Sequence, residues 1–411
     1  MRRVVITGVG IVSPVGNTLS AVGEAFCAGR GGVRLMPEWN AIEDMHTRLG
    51  APAAPVELSS LPRKKVRTMG RVSLLAMRAA EDACRGACVD VGLLSSGRMG
   101  LAFGSTHGSS SEMERFTATL SKTGTLRGLA GSAYLKFMSH TCAGNLAAHF
   151  GIRGCVLPTV AACASGSQAV GCGIEQIRHG RQDAMLCGGA EELHFVHAAV
   201  FDIMYATSTH FHDHPARAPR PFDAQRDGLV VGEGAGALVL EAYDHARARG
   251  VRPLAELVGY ATNCDGTHMT APSREGMAEV MRLALRDARL APGDIEYVNA
   301  HGTGTARGDL CESHATLAVL GDRVPFGSTK GFTGHTLGAC GALEVAFCLL
   351  ALRDGFLPPN HNLDHPDGDC AALNYIQGGP LRRRVDTVMT NNFAFGGINT
   401  SLILRRCDAR F

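Results

Sequence analysis

The sequence predicts an α/β fold whose helices pack on sheets that are at least partly parallel. Short apolar runs of strand character alternate with segments of helical spacing along all 411 residues. No low-complexity linker interrupts this alternation, and the chain is too long for one small sandwich. We therefore expect two domains, or two fused halves of one architecture.

Each element of the first half is predicted from a local pattern. The strands are apolar or β-branched runs, at residues 4–7, 99–104, 156–162, 184–187 and 235–240. The helices show helical spacing or many small residues, at residues 74–87 and 164–179. Gly8 is taken as the end of the first strand and Gly180 as the stop of the second helix.

The second half repeats the alternation. Its predicted helices cover residues 277–288, 310–320 and 336–352, and its predicted strands cover 295–299, 385–390 and 400–404. The last two strands are separated by a turn that contains glycine.

The composition and charge of the chain argue against several classes of function. A net charge of +2 provides no overall field for nucleic-acid binding, so an acidic partner needs a local basic patch. Fourteen cysteines without zinc-type pairs, several of them among apolar residues, indicate a reduced, cytoplasmic protein. The N-terminus runs straight into a strand, without a secretory signal, and no apolar run is long enough to cross a membrane.

Cys163 is the candidate nucleophile. It lies where an apolar strand ends and a small-residue helix begins, in Ala161-Ala162-Cys163-Ala164-Ser165. Such a turn exposes the sulfur, and the helix N-terminus stabilises a thiolate. The competing interpretation is a buried, inert cysteine.

Two further segments place histidines in loops that follow strand-like runs. His301 enters a Gly/Thr loop with Thr303 and Thr305, which suits a polar ligand chain, although a structural histidine is the alternative. Lys330 and His335 precede a long apolar helix that contains Glu344. A carboxylate in that setting requires a buried partner, and Lys330 is the candidate. The alternative is a surface lysine and a glutamate whose carboxylate reaches the solvent.

The last motif is Phe395-Gly396-Gly397, a tight turn whose backbone N–H groups can point at a ligand. An ordinary hairpin turn is the alternative. One nucleophilic cysteine, two loop histidines and this turn together are the parts needed for acyl transfer with carbanion chemistry.

A histidine-rich loop raises the question of a metal. His210, His212 and His214 alternate around Asp213, so their side chains could share one face of an extended segment. A solvated polar loop is the competing interpretation, and we expect no catalytic metal.

The ordered set Cys163, His301, Lys330, His335 and Phe395-Gly396-Gly397 resembles the elongating (type II) β-ketoacyl-acyl carrier protein synthases of the thiolase superfamily. The resemblance implies a thiolase-like fold of two similar halves in five α-β-α-β-α layers. The first half, residues 1–252, would carry the nucleophile, and the second, residues 253–411, the two histidines. No cofactor is implied, because phosphopantetheine arrives on the carrier protein.

The resemblance also implies residue roles. Cys163 receives the acyl group, its oxyanion lies between the backbone N–H groups of Cys163 and Phe395, and His301 and His335 stabilise the enolate formed when malonyl loses CO2. Thr303 and Thr305 bind the phosphopantetheine arm, and Lys330 with Glu344 orients the His335 loop. Supporting residues are Asp309 and Glu312, and a structural monovalent cation is implied among Asn299, Glu312, Glu344, Thr390 and Asn391.

Partners follow from the same resemblance. The acidic carrier protein is expected to dock on Arg63, Lys64, Lys65 and Arg67, with a solvated helix start as the alternative. Residues 100–145 would build a dimer interface and close the acyl pocket.

The subgroup is suggested by departures from the common form. Ala164 replaces a frequent threonine, Ala394 replaces a glycine, and residues 104–111 are unusually polar for an acyl pocket. Met36-Pro37-Glu38-Trp39 and the C-terminal turn resemble synthases associated with aryl polyene pigment clusters.

Three alternatives remain open at this stage. The chain could be the active half of a heterodimer with an inactive chain-length-setting partner. It could be a non-catalytic carrier-binding subunit, although such a module needs no nucleophile. It could also be a cysteine hydrolase, which would leave His335 and Lys330 unexplained.

Overall fold

A computed structural model describes residues 1–57 and 62–407. Its strands are β1 Val4–Val12, β2 Arg34–Leu35, β3 Leu49–Ala51, β4 Met99–Gly104, β5 Val156–Thr159, β6 Ala184–Glu191, β7 Val231–Gly232, β8 Gly234–Ala242, β9 Ala255–Cys264, β10 Tyr297–Asn299, β11 Pro325–Gly327, β12 Phe356–Leu357, β13 Asn374–Tyr375, β14 Leu381–Arg382, β15 Thr387–Ala394 and β16 Ile398–Arg405.

The helices are α1 Leu19–Cys27, α2 Arg63–Val66, α3 Arg71–Gly86, α4 Val91–Ser95, α5 Ser110–Thr123, α6 Tyr134–Phe137, α7 Thr141–Phe150, α8 Ser165–Arg178, α9 Phe195–Ile203, α10 Tyr243–Ala248, α11 Arg274–Ala288, α12 Ala306–Leu320, α13 Lys330–Thr333 and α14 Cys340–Asp354. Within the described residues, no helix is long and apolar enough to span a membrane.

The main sheet shows the same strand arrangement twice. Its order is β13-β11-β10-β15-β16-β9-β1-β8-β6-β4-β5. In the first half β5, β4 and β6 are parallel, and β8 and β1 follow antiparallel. In the second half β11, β10 and β15 are parallel, and β16 and β9 follow antiparallel. The halves are joined where β1 pairs with β9.

Successive residues of these strands face opposite sides of the sheet, and helices cover both sides. The fold therefore has five layers. In β8, Leu238 and Leu240 face the central core, whereas Val239 faces an outer core with α3 and α7. In β16, Leu402 faces the central core, and Ile403 faces an outer core with α11 and α12. Helices α8 and α14 fill the central layer and contact each other. The predicted thiolase-like arrangement is confirmed.

The first strand is longer than the sequence analysis predicts. It passes through Gly8 and Gly10 because these residues lie against helix α3, where a Cβ on Gly10 would come within 1.8 Å of the carbonyl oxygen of Ala79. The glycines therefore permit close strand-to-helix packing and do not end the strand.

Candidate active site

The turn between β5 and α8 presents the sulfur of Cys163. Ala162 adopts a left-handed backbone conformation, with φ of 46°. Ser165 stabilises the turn, because its hydroxyl accepts from Ala161 N at 2.9 Å and donates to Ala162 O at 2.7 Å. A strained turn held by a side chain positions a nucleophile reproducibly.

The structure brings both histidines to this cysteine. His335 Nε2 lies 3.0 Å from Cys163 Sγ, and the His301 and His335 rings are perpendicular with centroids 5.2 Å apart. One ligand-type atom from each of the three residues lies within 4.8 Å of the others. A divalent metal among them would face the nearby Lys330 ammonium, which repels a cation.

The resting thiol is protonated, which differs from the thiolate that the helix N-terminus alone leads one to expect. Burial raises the pKa of Cys163 to about 12, because the charged form loses hydration. Lys330 and the backbone N–H groups of Cys163 and Phe395 act in the opposite direction. Those two N–H groups therefore lie beside the sulfur, as an oxyanion site requires.

Lys330 determines which nitrogen of His301 carries the proton. Its ammonium is buried, donates to Glu344, and lies 3.3 Å from His301 Nδ1. An ammonium has only donors, so Nδ1 accepts and the proton of the neutral ring is on Nε2. Burial, and then Lys330, lower the pKa values of His301 and His335 well below the ordinary range, so both rings are neutral.

Asp309 and Glu312 shape the loop that carries His301. Glu312 accepts from the N–H groups of His301 and Gly302, each at 2.7 Å. Asp309 accepts from Thr303 N at 3.0 Å and Gly304 N at 3.2 Å. Burial raises the pKa of Glu312 to about 8 and that of Asp309 to about 6. Because both carboxyls are committed to backbone donors, they position the loop.

A cavity of about 610 Å³ leads to these groups. Cys163, His301, His335, Thr303, Thr305 and Phe395 all line it. The hydroxyls of Thr303 and Thr305 lie 3.0 Å apart on the cavity wall. A long, flexible thioester arm can therefore pass two hydroxyls before it reaches the sulfur.

The glycine turn borders the same cavity. Gly396 and Gly397 have φ of 86° and 70°, which only glycine adopts without strain. Gly396 N donates to Met269 O at 2.8 Å, and Asp265 N donates to Gly397 O at 2.9 Å. The loop around residue 265, which the sequence analysis does not single out, thus anchors the turn.

The five residues of the implied cation set offer hard oxygen ligands. Both amide atoms of Asn391 are buried without a hydrogen-bond partner in the described chain, whereas Asn299 Nδ2 donates to Thr390 Oγ1 at 3.2 Å. Glu344 is shared between Lys330 and Asn392, and Glu312 holds the His301 loop. A buried amide oxygen without a hydrogen-bond partner fits a monovalent cation.

Two predicted surface features lie apart from the catalytic groups. In the basic patch, Lys64, Lys65 and Arg67 are exposed, and the side chain of Arg63 lies outside the described set. In the histidine loop, His210 and His214 are exposed, and His212 accepts from Arg48 N at 3.2 Å. Among the residues the structure describes, this loop forms no metal-type cluster.

Two buried residues near the site are not predicted from the sequence. Asn392 Nδ2 donates to Glu344 at 2.6 Å. Glu191 accepts from Thr106 N at 2.7 Å and from Gly338 N at 3.2 Å, so it links the loop after β4 to the segment after His335. Both contacts join distant parts of the chain, and no local pattern marks them.

The fold and the Cys–His–His site define a thiolase-like condensing enzyme. The N-terminal domain of the β-ketoacyl synthase family matches residues 1–246, and its C-terminal domain matches residues 254–364. A 3-oxoacyl-[acyl-carrier-protein] synthase 1 of Escherichia coli is 36% identical over 412 residues, covering 99% of each chain.

Solved structures of ketosynthases are also similar to this chain over nearly its whole length. A β-ketoacyl synthase from Burkholderia phymatum is 49% identical with a TM-score of 0.96, covering 99% of this chain and 100% of that one. The ishigamide ketosynthase/chain length factor is 32% identical with a TM-score of 0.92, over the same shares. The chain belongs to the β-ketoacyl synthase family.

Proposed function

We propose that the protein is a 3-oxoacyl-[acyl-carrier-protein] synthase that joins an acyl group on Cys163 to the two-carbon unit left when malonyl-carrier protein loses CO2. The observation that carries this is the convergence of Cys163, a backbone N–H of Phe395 and two histidines in one cavity. Cys163 supplies the nucleophile, Phe395 an oxyanion donor, and two neutral histidines a place for an enolate oxygen.

In the first half-reaction Cys163 Sγ attacks the thioester carbonyl of the acyl chain. Its proton is taken up at His335 Nε2, 3.0 Å away, since the buried thiol does not ionise alone. The oxyanion accepts from the backbone N–H groups of Cys163 and Phe395. Collapse of the tetrahedral intermediate breaks the thioester C–S bond, and the departing phosphopantetheine thiolate recovers the proton.

In the second half-reaction malonyl occupies the cavity beside the acylated cysteine. Breaking its C–C bond to the carboxylate releases CO2 and places a pair of electrons on an enolate. His301 Nε2–H, fixed by Lys330 at Nδ1, donates to the enolate oxygen. The acylated sulfur has no proton for His335 Nε2, so the neutral His335 ring can carry its own proton on that nitrogen and act as the second donor. The enolate carbon then attacks the acyl carbonyl, and Cys163 leaves as a thiolate that takes up one proton from solvent to return to the resting thiol.

The experiment that tests this is the fate of labelled malonyl-carrier protein. With an acyl-loaded enzyme, CO2 release and a β-ketoacyl-carrier product should appear in equal amounts. A hydrolase would release free acid and no CO2, and a carrier-binding subunit would release neither.

We further propose that Asn299, Glu312, Glu344, Thr390 and Asn391 hold a structural monovalent cation. Its chemistry is to offset buried carboxylate charge. The support is the unpaired amide of Asn391. Potassium or sodium should raise the unfolding temperature, whereas Asn391→Leu should remove that dependence; equal stability in a large organic cation would contradict the site.

The partner surface lies on the first half. Helices α5 and α6 bury none of their own residues, and Val156 and Val160 on and beside the edge strand β5 are 38% and 56% exposed. An exposed apolar edge strand favours subunit pairing, and so do uncovered helices on the same half of the chain. We propose a homodimer through this surface, which light scattering of the purified chain would test with Val156→Lys as the disrupting variant.

A second candidate is the active subunit of a heterodimer with a chain-length-setting partner in a polyene pathway. The likeness to the ishigamide ketosynthase/chain length factor supports it. So does the polar segment after β4, where His107 stacks on buried His197 at 4.5 Å and Ser110 is bonded to that ring at 2.8 Å. Monomers of the isolated chain that pair only with such a partner would favour this candidate.

We also propose a cytoplasmic location and delivery by a carrier protein docked on Arg63, Lys64, Lys65 and Arg67. The buried cysteines of the described chain, Cys163 among them, are free thiols, which suits a reducing compartment. The three described cations of the patch are exposed and suit an acidic partner. Cell fractionation and the charge reversals described in the Discussion test the two proposals.

A further inference from the structure

The rim of the catalytic cavity carries a guanidinium that the mechanism above does not use. Arg307 lines the same cavity as Cys163, Thr303 and Thr305. It is exposed on the first turn of α12, whereas Cys163 is only 6% exposed. The cavity therefore runs from a buried thiol, past two hydroxyls, to a cation at the surface.

Arg307 is uncommitted in the part of the chain that the structure describes, where its guanidinium has neither a hydrogen bond nor a salt bridge. Arg226, the other arginine of the cavity wall, donates to Asp367 and, at 3.2 Å, to Ala306 O. A cation in the first turn is also disfavoured by the helix dipole. The contacts of Arg226 stabilise the local structure and account for its presence. Arg307 makes no such contact within the described residues, so its presence has no structural explanation of this kind.

We infer that Arg307 binds the phosphate of the phosphopantetheine arm, an inference that rests on the proposed function. The arm has its thioester at one end, a phosphate at the other, and hydroxyl and amide groups between them. The cavity presents Cys163, the Thr303–Thr305 pair and Arg307 in the same order of depth. A planar guanidinium matches phosphate oxygens in bidentate geometry, and an exposed one loses little hydration by doing so.

Carrier protein and coenzyme A both supply this chemistry, because each has a phosphate at that end of pantetheine. Arg307 should therefore act on any thioester that carries the phosphate, free or carrier-bound. A contact with an acidic side chain of the carrier would act on the carrier-bound thioester alone.

The test compares KM for CO2 release from malonyl-pantetheine, malonyl-phosphopantetheine and malonyl-carrier protein. Arg307→Ala should raise KM about fivefold at low salt for the two phosphate-bearing substrates, with kcat unchanged. KM for malonyl-pantetheine should stay the same. Arg307→Lys should recover part of the loss, and added salt should shrink the difference. Arg247→Ala removes an exposed arginine of α10, away from the cavity, and is the matched control.

Three results would overturn the inference: an equal rise with malonyl-pantetheine, a rise confined to malonyl-carrier protein, or no rise at all. Failure of the proposed function looks different, since the unmodified enzyme would then release no CO2 from any thioester. In that case calorimetry decides, because Arg307→Ala should weaken phosphopantetheine binding about fivefold and leave pantetheine binding unchanged.

Discussion

A single and a double variant at the Lys330–Glu344 ion pair together separate the structural role of Lys330 from its role in the reaction. The single variant replaces Lys330 by methionine. The side chains of Lys330 and Glu344 are 1% and 2% exposed, so the variant leaves a buried carboxylate without its cation. Breaking a buried pair in this way costs about 3–5 kcal/mol of unfolding free energy. His301 Nδ1 loses its donor as well, so the ring is free to adopt the other tautomer.

The double variant Lys330→Met/Glu344→Gln removes both charges. It keeps a carbonyl that can accept from Asn392 Nδ2, and should regain about 2–4 kcal/mol of the lost stability. It does not restore the donor to His301, so decarboxylation of malonyl-carrier protein should stay about a hundredfold below the unmodified rate. Denaturant unfolding and CO2 release on the same preparations measure the two effects. A double variant that decarboxylates normally, or a single variant of unchanged stability, would refute the reasoning.

Three further predictions concern the histidines and the docking patch. His301→Ala should still accept an acyl group on Cys163 but lose CO2 release, as mass spectrometry and a radiometric assay would show; failure to acylate would reverse its role. Because the folded pKa values of His301 and His335 lie far below the unfolded value of about 6.5, the unfolded chain binds more protons in acid. The stability that His301 contributes, measured as the difference in unfolding free energy from His301→Ala, should therefore fall as pH drops below about 6.5, whereas Glu312 and Asp309, with raised pKa values, act in the opposite direction in both proteins. CO2 release by Cys163→Gln should stay flat from about pH 6 to 8; an acid limb within that range would mean that a histidine titrates. Reversing the charges of Lys64 and Lys65 should raise KM for carrier-bound malonyl and leave malonyl-pantetheine unaffected, and an equal effect on both would make the patch structural.

The candidate catalytic residues could be selected from the sequence because each lies in a recognisable local pattern. Cys163 lies in the short turn between strand β5 and helix α8, which is rich in small residues, and the segment before His301 is strand β10. The ion pair of Lys330 with Glu344 could be anticipated because a carboxylate in an apolar helix needs a partner. Local pattern also located most strands of the main sheet, because strands buried on both faces are continuous apolar or β-branched runs.

What the sequence could not predict depends on contacts between distant segments. Gly8 looked like a strand end, yet β1 continues through Gly10 because helix α3 packs against it. The helix expected over residues 336–352 begins instead with a short 3-10 turn at Leu337–Ala339, where Leu337 has φ of 46°. The protonation state of Cys163 also depends on the enclosure that the whole fold creates.

The most direct test of the account is to follow one acyl group through the reaction. The enzyme is loaded from an acyl-carrier protein, digested and analysed by mass spectrometry before and after malonyl-carrier protein is added. The account predicts the acyl mass on the peptide that contains Cys163, and its loss together with one CO2 and one β-ketoacyl-carrier product for each acyl group. An acyl group on another of the fourteen cysteines, or its release as free acid without CO2, would contradict the account.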